Sequence, residues 1–524
     1  MKNLKPLLVL IILLNILTIS ITGCQNNSTT KDPNANQDEQ PLIIRLAGGD
    51  YGEPSPFQHY PRGSGIYKMT LVFDSLLDKD ENGLTPWLAE SWIIDNNGKT
   101  YTFNIHENVK WHDGESLTAE DVKFSFEYFM KHPPISNSLL IDGKHFIESI
   151  EVVNNNQVKI SVTEANATIL ESLGKTVIIP KHIWETVDDP NSFTGEASVI
   201  GSGPYVLDIY NKELGSYKFV ANETFWGPQQ NIDEIHFIPV SDETLAFEQN
   251  EIDLATISSD LLSRYEDNNE YKILRQPAFW GYRLIFNLEK VEEFNNKDIR
   301  QAVAYAINID DIIAKVERGA AVPASAGYLP VDHVWYNDDV KQYNYDVEMA
   351  KQLLDNSIFS FELLVGNTTK EVRIAELIKL YLSEIGITVN INSVDPKTRD
   401  SAVKEGNYEV VIYGHGGWGF DADSLRTIYA SDTYKDAVPT SSNIPGYYNE
   451  VITELGHEQL YTTDVNHRKD TIYQLQKVIS EELPMLPLYN TTAYDIYRPA
   501  KYDGWMNMFD HHMITHSRLS YLSR

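Results

Sequence analysis

The chain has 524 residues, 42% hydrophobic and 23% charged, the balance of an ordinary globular protein with about three folding units. Its formal charge of −32 argues against nucleic acid as a partner, because a phosphate backbone needs a basic face. A single cysteine excludes an intramolecular disulfide and a multi-thiolate metal site.

Lys2 and Lys5 precede an apolar run over residues 7–21, too short for an ordinary membrane-spanning helix. It ends in Ile21-Thr22-Gly23-Cys24, which resembles the lipobox of prokaryotic lipoproteins. The resemblance implies that residues 1–23 are a removed signal and that Cys24 carries a lipid at the start of the mature chain. The one cysteine is thereby assigned to an anchor rather than to a nucleophile. Residues 24–40 hold no large apolar side chain and read as a flexible tether.

Order is expected from Pro41. The run "LIIRLA" (residues 42–47) suits a buried strand. A loop over residues 51–65 follows, rich in proline, glycine and aromatic rings. In it Tyr51 is a candidate ligand contact, and Arg62 could neutralise a ligand carboxylate. Between residues 99 and 131, Tyr101, Phe103 and Ile105 alternate as in a strand. Thr118 and Asp121 have capping-box spacing, and Val122, Phe126, Phe129 and Met130 share a helix face that His132-Pro133-Pro134 ends. Residues 297–316 read as two helices, the second starting at Asp310. Asp346 caps a helix over residues 345–356, and a helix from residue 374 closes at Gly386 before a strand with Val389 and Ile391. Strands and helices alternate, which predicts an α/β fold.

A short buried strand over residues 408–414 then runs into "YGHGGWGFDAD", residues 413–423. Four glycines, His415, Trp418, Asp421 and Asp423 in such a run fit a metal site, a catalytic loop, or a wall where a ligand lies against bare backbone. Asp423 is placed to cap the following helix. Near the C-terminus His511, His512 and His516 cluster, with His512 and His516 at helical i, i+4 spacing; an exposed, bland surface is the expectation there. No phosphate loop ending in Lys-Ser/Thr, no Gly-x-Ser-x-Gly elbow and no zinc-protease helix is present, so an enzyme is not expected, a lipid-anchored hydrolase being the remote alternative.

Taken together and in order, "WHDGESLTAEDVKFS" (residues 111–125), "GSGPYVL", "NETFWG", "NEIDLA", "FNLEKVEEFNNKDIRQAVAYAIN", "AKQLL", "EIGITV" and "PMLPLYN" resemble the solute-binding lipoproteins of peptide/nickel ABC importers. The resemblance covers nearly all of the mature chain. It implies a two-lobed α/β fold of the periplasmic-binding-protein type, of the large peptide-binding class. Lobe I would comprise residues 41–69, 200–283 and 495–524, with an insertion subdomain at 70–199, and lobe II residues 284–494. It implies a monomeric receptor without cofactor, held on the outer face of the cytoplasmic membrane. Such a receptor captures a small solute, a peptide foremost, and delivers it to an ABC permease and its ATPase subunits. In peptide-binding members an aspartate three residues after a tryptophan holds the ligand ammonium; the matching residues are Asp421 and Trp418, with Gly417 offering backbone. Tyr282 and Tyr489, at the two lobe crossings, would line the cleft. This chain departs from the pattern at His415, Gly416-Gly417 and Phe420, and at His106, where the family's strand usually carries an arginine. Nickel-type relatives lack the aspartate and surround a metal chelate instead, which makes His415 the alternative metal contact.

Overall fold

Short apolar runs, each too brief to fill a core alone, assemble into separate sheets that amphipathic helices then cover. In the computed structural model, residues 40–60, 63–95, 97–416, 421–430, 444–510 and 514–523 are described, with His415 described by its backbone. Cys24, Arg62, Gly417, Trp418, His511 and His512 therefore lie outside the described residues. Among the described residues no helix is long and apolar enough to cross a membrane.

Two large apolar cores form. One gathers side chains from Ile44 to Leu254 and again from Tyr497 to Leu522; the other runs from Phe279 to Tyr489. The first is served by two four-stranded sheets. One orders Ile43–Gly48, Glu234–Pro239, Ser216–Ala221 and Tyr205–Asn211; the other orders Ala89–Ile94, Thr100–Ile105, Gln157–Val162 and Ile147–Asn154. Alternation at Tyr101, Phe103 and Ile105 is borne out: these three are buried while their neighbours are half-buried. Helix Ala119–Lys131 buries Val122, Phe126 and Phe129, and the Asp121 carboxylate accepts from the Thr118 N–H at 2.8 Å. That bond satisfies one of the donors a helix start leaves bare.

The second core surrounds a six-stranded sheet, ordered Ala321–Pro323, Met485–Thr491, Trp280–Phe286, Val410–His415, Ser360–Gly366 and Thr388–Val394. Helices Lys297–Ala306 and Ile309–Val316 are separate, as the sequence break predicts, and Asp346 caps Val347–Leu354 by accepting from Met349 N–H at 2.9 Å. Helix Thr369–Ser383 begins earlier than the periodicity alone indicates, because Thr368 caps it.

Two short crossings connect the cores. Strand Lys272–Arg275 passes through residues 276–279 into Trp280–Phe286, and Met485–Thr491 passes through Thr492 into Ala493–Tyr497. The partners run side by side in both sheets: Lys272–Arg275 pairs antiparallel with Ala493–Tyr497, and Trp280–Phe286 with Met485–Thr491.

The C-terminal histidine expectation is corrected in one respect. His516 sits in a turn closed by Ser517 N–H to Ile514 C=O at 3.0 Å, not on a helix. Its Nδ1 is sealed from solvent without a partner, and its ring lies on Tyr67 and Phe237 at 5.7 and 6.0 Å. Burial, with Lys68 nearby, lowers its pKa to about 3, so it is a neutral packing element and not a surface group.

Candidate functional site

The strand Val410–His415 lies between Trp280–Phe286 and Ser360–Gly366, and its register sets Gly414 opposite Tyr282 and His415 opposite Gly281. The glycines here answer to neighbours. A Cβ on Gly414 would come 2.7 Å from the Trp280 indole, and one on Gly281 would come 2.1 Å from the Tyr489 carbonyl oxygen. Bare backbone therefore serves sheet packing at these two positions.

Beyond the strand, Asp421 is engaged within the protein. Its Oδ2 accepts from Arg468 Nη1 and its Oδ1 from Arg468 Nη2, both at 2.7 Å, and Oδ1 also accepts from the Asp423 N–H at 2.8 Å. This bidentate fork is the strong form of an ion pair. Arg468 is further fixed by Gln459 and by the Trp335 ring, 5.2 Å from its guanidinium carbon. Asp421, not Asp423, thus supplies the carboxylate bond to the start of helix Ser424–Tyr429. Asp423 stands at the cap position but makes no capping bond, because its oxygens accept from Arg426 Nε and Nη2 at 2.7 and 2.8 Å. The ammonium-holding role that the resemblance implies for Asp421 meets a carboxylate whose two oxygens are already taken.

Arg426 carries this network to the first core. Its Nη1 donates to both oxygens of Asp142, at 2.8 and 2.9 Å. Asp142 and Gly143, at φ +49 and +76, form the two-residue turn between Leu140–Ile141 and Lys144–His145, the paired positive φ that a tight hairpin asks for. Burial pulls the Arg426 pKa down, but the carboxylates of Asp423 and Asp142 more than offset it and hold the cation firmly charged. A second link, Ala167 N–H to Leu460 C=O at 2.8 Å, joins the same two parts of the chain.

The hairpin continues the loop that walls the main cavity. That cavity has a volume of about 580 Å³, within the range of roughly 300–1,000 Å³ usual for small-molecule sites. Met69, Phe129, Ile135 and Leu139 give it an apolar body. Its charged walls are compensated: Lys79 pairs with Asp510 and Glu171, Lys175 with Glu171, and Arg518 Nε with Asp78 at 2.8 Å. Two lining residues hold a sealed polar atom without a partner, His59 at Nε2 and Asn137 at Nδ2. Their other atoms fix what these atoms are. His59 Nδ1 lies 2.9 Å from the Tyr60 carbonyl and must donate to it, so Nε2 is an acceptor; burial lowers the imidazole pKa and keeps the ring neutral. Asn137 Oδ1 accepts from the Leu139 N–H at 3.0 Å, leaving Nδ2 as a free donor.

The remaining candidates lie elsewhere. Tyr51 is in the loop beside the cavity, its N–H bonded to Tyr217 Oη at 2.8 Å and its ring against Tyr60 and Lys68. Tyr282 and Tyr489 are buried in the six-stranded sheet with ring centroids 5.6 Å apart, and Tyr489 donates to Glu317 at 2.7 Å. They line a much smaller cavity of about 10 Å³, together with Arg283, Tyr328 and Asn490. The sequence reading missed His59 and Asn137. The signal was there: His59 falls inside the aromatic loop, and Asn137 just after the Pro133-Pro134 stop, where a chain leaving a helix exposes its next side chains.

Comparison with known proteins gives three findings. The profile of "Bacterial extracellular solute-binding proteins, family 5 Middle" matches residues 83–437. Heme-binding protein A of Haemophilus influenzae is 26% identical over 461 residues, covering 81% of this chain and 82% of that protein; the dipeptide-binding protein of Escherichia coli is 26% identical over 447 residues, covering 79% and 82%. The structure of NikZ from Campylobacter jejuni in complex with Ni(L-His) superposes with a TM-score of 0.73 at 23% identity, covering 92% of this chain and 99% of that one.

Proposed function

The chain belongs to family 5 of the bacterial extracellular solute-binding proteins, and from that premise we propose that it captures short peptides and hands them to the permease of an ABC importer. The family and the two-lobed α/β fold carry the receptor part of this reading. The peptide part rests on one observation, a cavity of about 580 Å³ with an apolar body, in a chain whose relatives include the dipeptide-binding protein of Escherichia coli. The apolar body takes peptide side chains, and Ser136, Ser138 and Thr176 in the lining supply polar groups for a peptide backbone. We divide the chain as the resemblance implies, except that the hinge falls at residues 276–279 and Thr492, since residues 283 and 494 lie inside strands. Asp421 we place in the frame of lobe II as the partner of Arg468, not on the cargo. Attachment through a lipid at Cys24 and a monomeric state complete the proposal.

A metal-chelate cargo is the second reading, favoured by heme-binding protein A of Haemophilus influenzae among the relatives, heme being a metal chelate. Among the described residues no group of three metal-ligating side chains comes together, so the protein would add one ligand to a chelate formed elsewhere. Native mass spectrometry of the chain from Gln25 onward, before and after mild unfolding, separates the readings. A series of masses matching short peptides supports the first. One metal-containing mass replaces it with the second.

A further inference from the structure

The strand Trp280–Phe286 carries a cation that the solute-binding reading does not use. Arg283 is 2% exposed, and its Nε and Nη2 are sealed from solvent with no hydrogen-bond partner. Among the described residues its one side-chain hydrogen bond runs from Nη1 to the Tyr328 hydroxyl. The groups around it are phenols: the rings of Tyr328 and Tyr413 lie 5.4 and 5.8 Å from its guanidinium carbon, and Tyr408 and Tyr429 are its other electrostatic neighbours. Tyr408 and Tyr429 also have sealed hydroxyls without a partner. No carboxylate is among these neighbours. Ring faces attract a cation but do not neutralise it. A buried charge without a counter-charge is among the most costly arrangements in a folded protein.

Tyr328 shows that the arrangement is held in place. Its backbone stands at φ +80, a conformation an L-residue with a bulky side chain rarely takes, and there its hydroxyl meets Arg283 while its ring packs edge-on against Tyr429 at 5.4 Å. Beside the guanidinium lies the small cavity of about 10 Å³, walled by Arg283, Tyr328, Asn490, Ala324 and Pro487 among others. That is about the space one water-sized species requires, and too little for a carboxylate or a phosphate.

We propose that this cavity is a site for a single monatomic anion of the chloride class, held by Arg283 with Asn490 and Tyr328 at its wall. The guanidinium supplies the positive charge and two unspent donors, and the volume sets the size limit. The position gives the site a consequence. Tyr413 lies in strand Val410–His415, which leads into the glycine run, Tyr429 ends helix Ser424–Tyr429 beyond it, and both are electrostatic neighbours of Arg283. A neutralised Arg283 therefore ties both ends of that segment to the hinge strand.

Crystals soaked in sodium bromide test this directly. An anomalous bromine peak beside Arg283 is expected. In solution, the melting temperature should rise by roughly 2–3 °C when methanesulfonate is exchanged for chloride at constant ionic strength, with chloride in about hundredfold excess over its dissociation constant. Arg283→Met should abolish that dependence, and Asn490→Leu should weaken it. The wild-type soak decides the matter if Arg283→Met does not fold. A cavity holding only water in bromide, or melting temperatures equal in the two salts, overturns the proposal.

Discussion

Asp421→Asn is the perturbation that best separates a framework ion pair from a cargo anchor. In the structure the substitution leaves Arg468, 7% exposed at its side chain, facing a neutral amide. Removing one partner of a buried pair costs about 3–5 kcal/mol. Asp421 is 21% exposed, which places the cost near 3 kcal/mol. Unfolding entropy is about 2.1 cal/mol/K per residue, so the unit Pro41–Arg524, about 480 residues, has a total near 1 kcal/mol/K and should melt roughly 3 °C lower. If lobe II unfolds by itself, the same loss falls on fewer than half the residues and the drop is roughly 7 °C. Differential scanning calorimetry reads this, and titration of the native cargo reads affinity in the same samples. The double substitution Asp421→Leu with Arg468→Met should recover most of the loss, since replacing a whole pair is near neutral. An unchanged melting temperature together with a tenfold or greater loss of affinity would refute the framework assignment and restore Asp421 to the ligand.

Asp142→Asn removes the charge that Arg426 grips across the two cores; a loss of about 1 kcal/mol should weaken that link roughly fivefold and enlarge the radius of gyration in small-angle scattering. Asn137→Leu and His59→Phe each remove a sealed polar atom that has no partner among the described residues, and each should raise thermal stability slightly, which melting detects; a fall in melting temperature would contradict the assignment. Lys68 is buried among Tyr51, Tyr217 and Phe237, with the Ser64 carbonyl as its bonded acceptor and His516 nearby, and burial lowers its pKa from 10.5 to about 7. The folded state then holds fewer protons than the unfolded one between those values, so its penalty is full below pH 7 and is relieved as pH rises toward 10.5. Lys68→Met should accordingly stabilise the protein most at or below pH 7, with the gain shrinking by about 1.4 kcal/mol per pH unit above it; a gain that grows with pH would contradict the assignment.

Much of the fold was legible because its signals are local. Capping at Thr118 and Asp346 and alternation at Tyr101, Phe103 and Ile105 depend on residues a few positions apart, and each appears as read. The glycine run was legible as an unusual backbone, but its partners were not. Arg468 lies 47 residues from Asp421, on helix Val465–Glu482, and nothing in its neighbourhood announces a carboxylate. The Asp142–Arg426 bridge spans 284 residues and was invisible for the same reason. His59 and Asn137 differ again: their residue types are ordinary, and only the accounting of who bonds whom exposes them. His516 was misread because helical spacing was visible while the turn at Ile514 and the rings of Tyr67 and Phe237 were not.

The two crossings between the sheets are neighbours in a ladder on both sides of the gap, and one of them is a single residue, Thr492. Two independent flexible cords would let the lobes swivel about any axis. A paired ribbon bends readily out of its own plane but resists shear and in-plane rotation, since either would slide one strand along the other and break ladder bonds on both sides. If the crossings serve as the proposed hinge, opening is thereby reduced to something near one degree of freedom, as with a strip of leather between two boards. On the proposed division the lobes then return to the same register each time, because ladder bonds on both sides of the gap hold it. A glycine inserted beside Thr492 would loosen the ribbon into a cord, and its signature would be slower capture of cargo with unaltered contacts in the closed state.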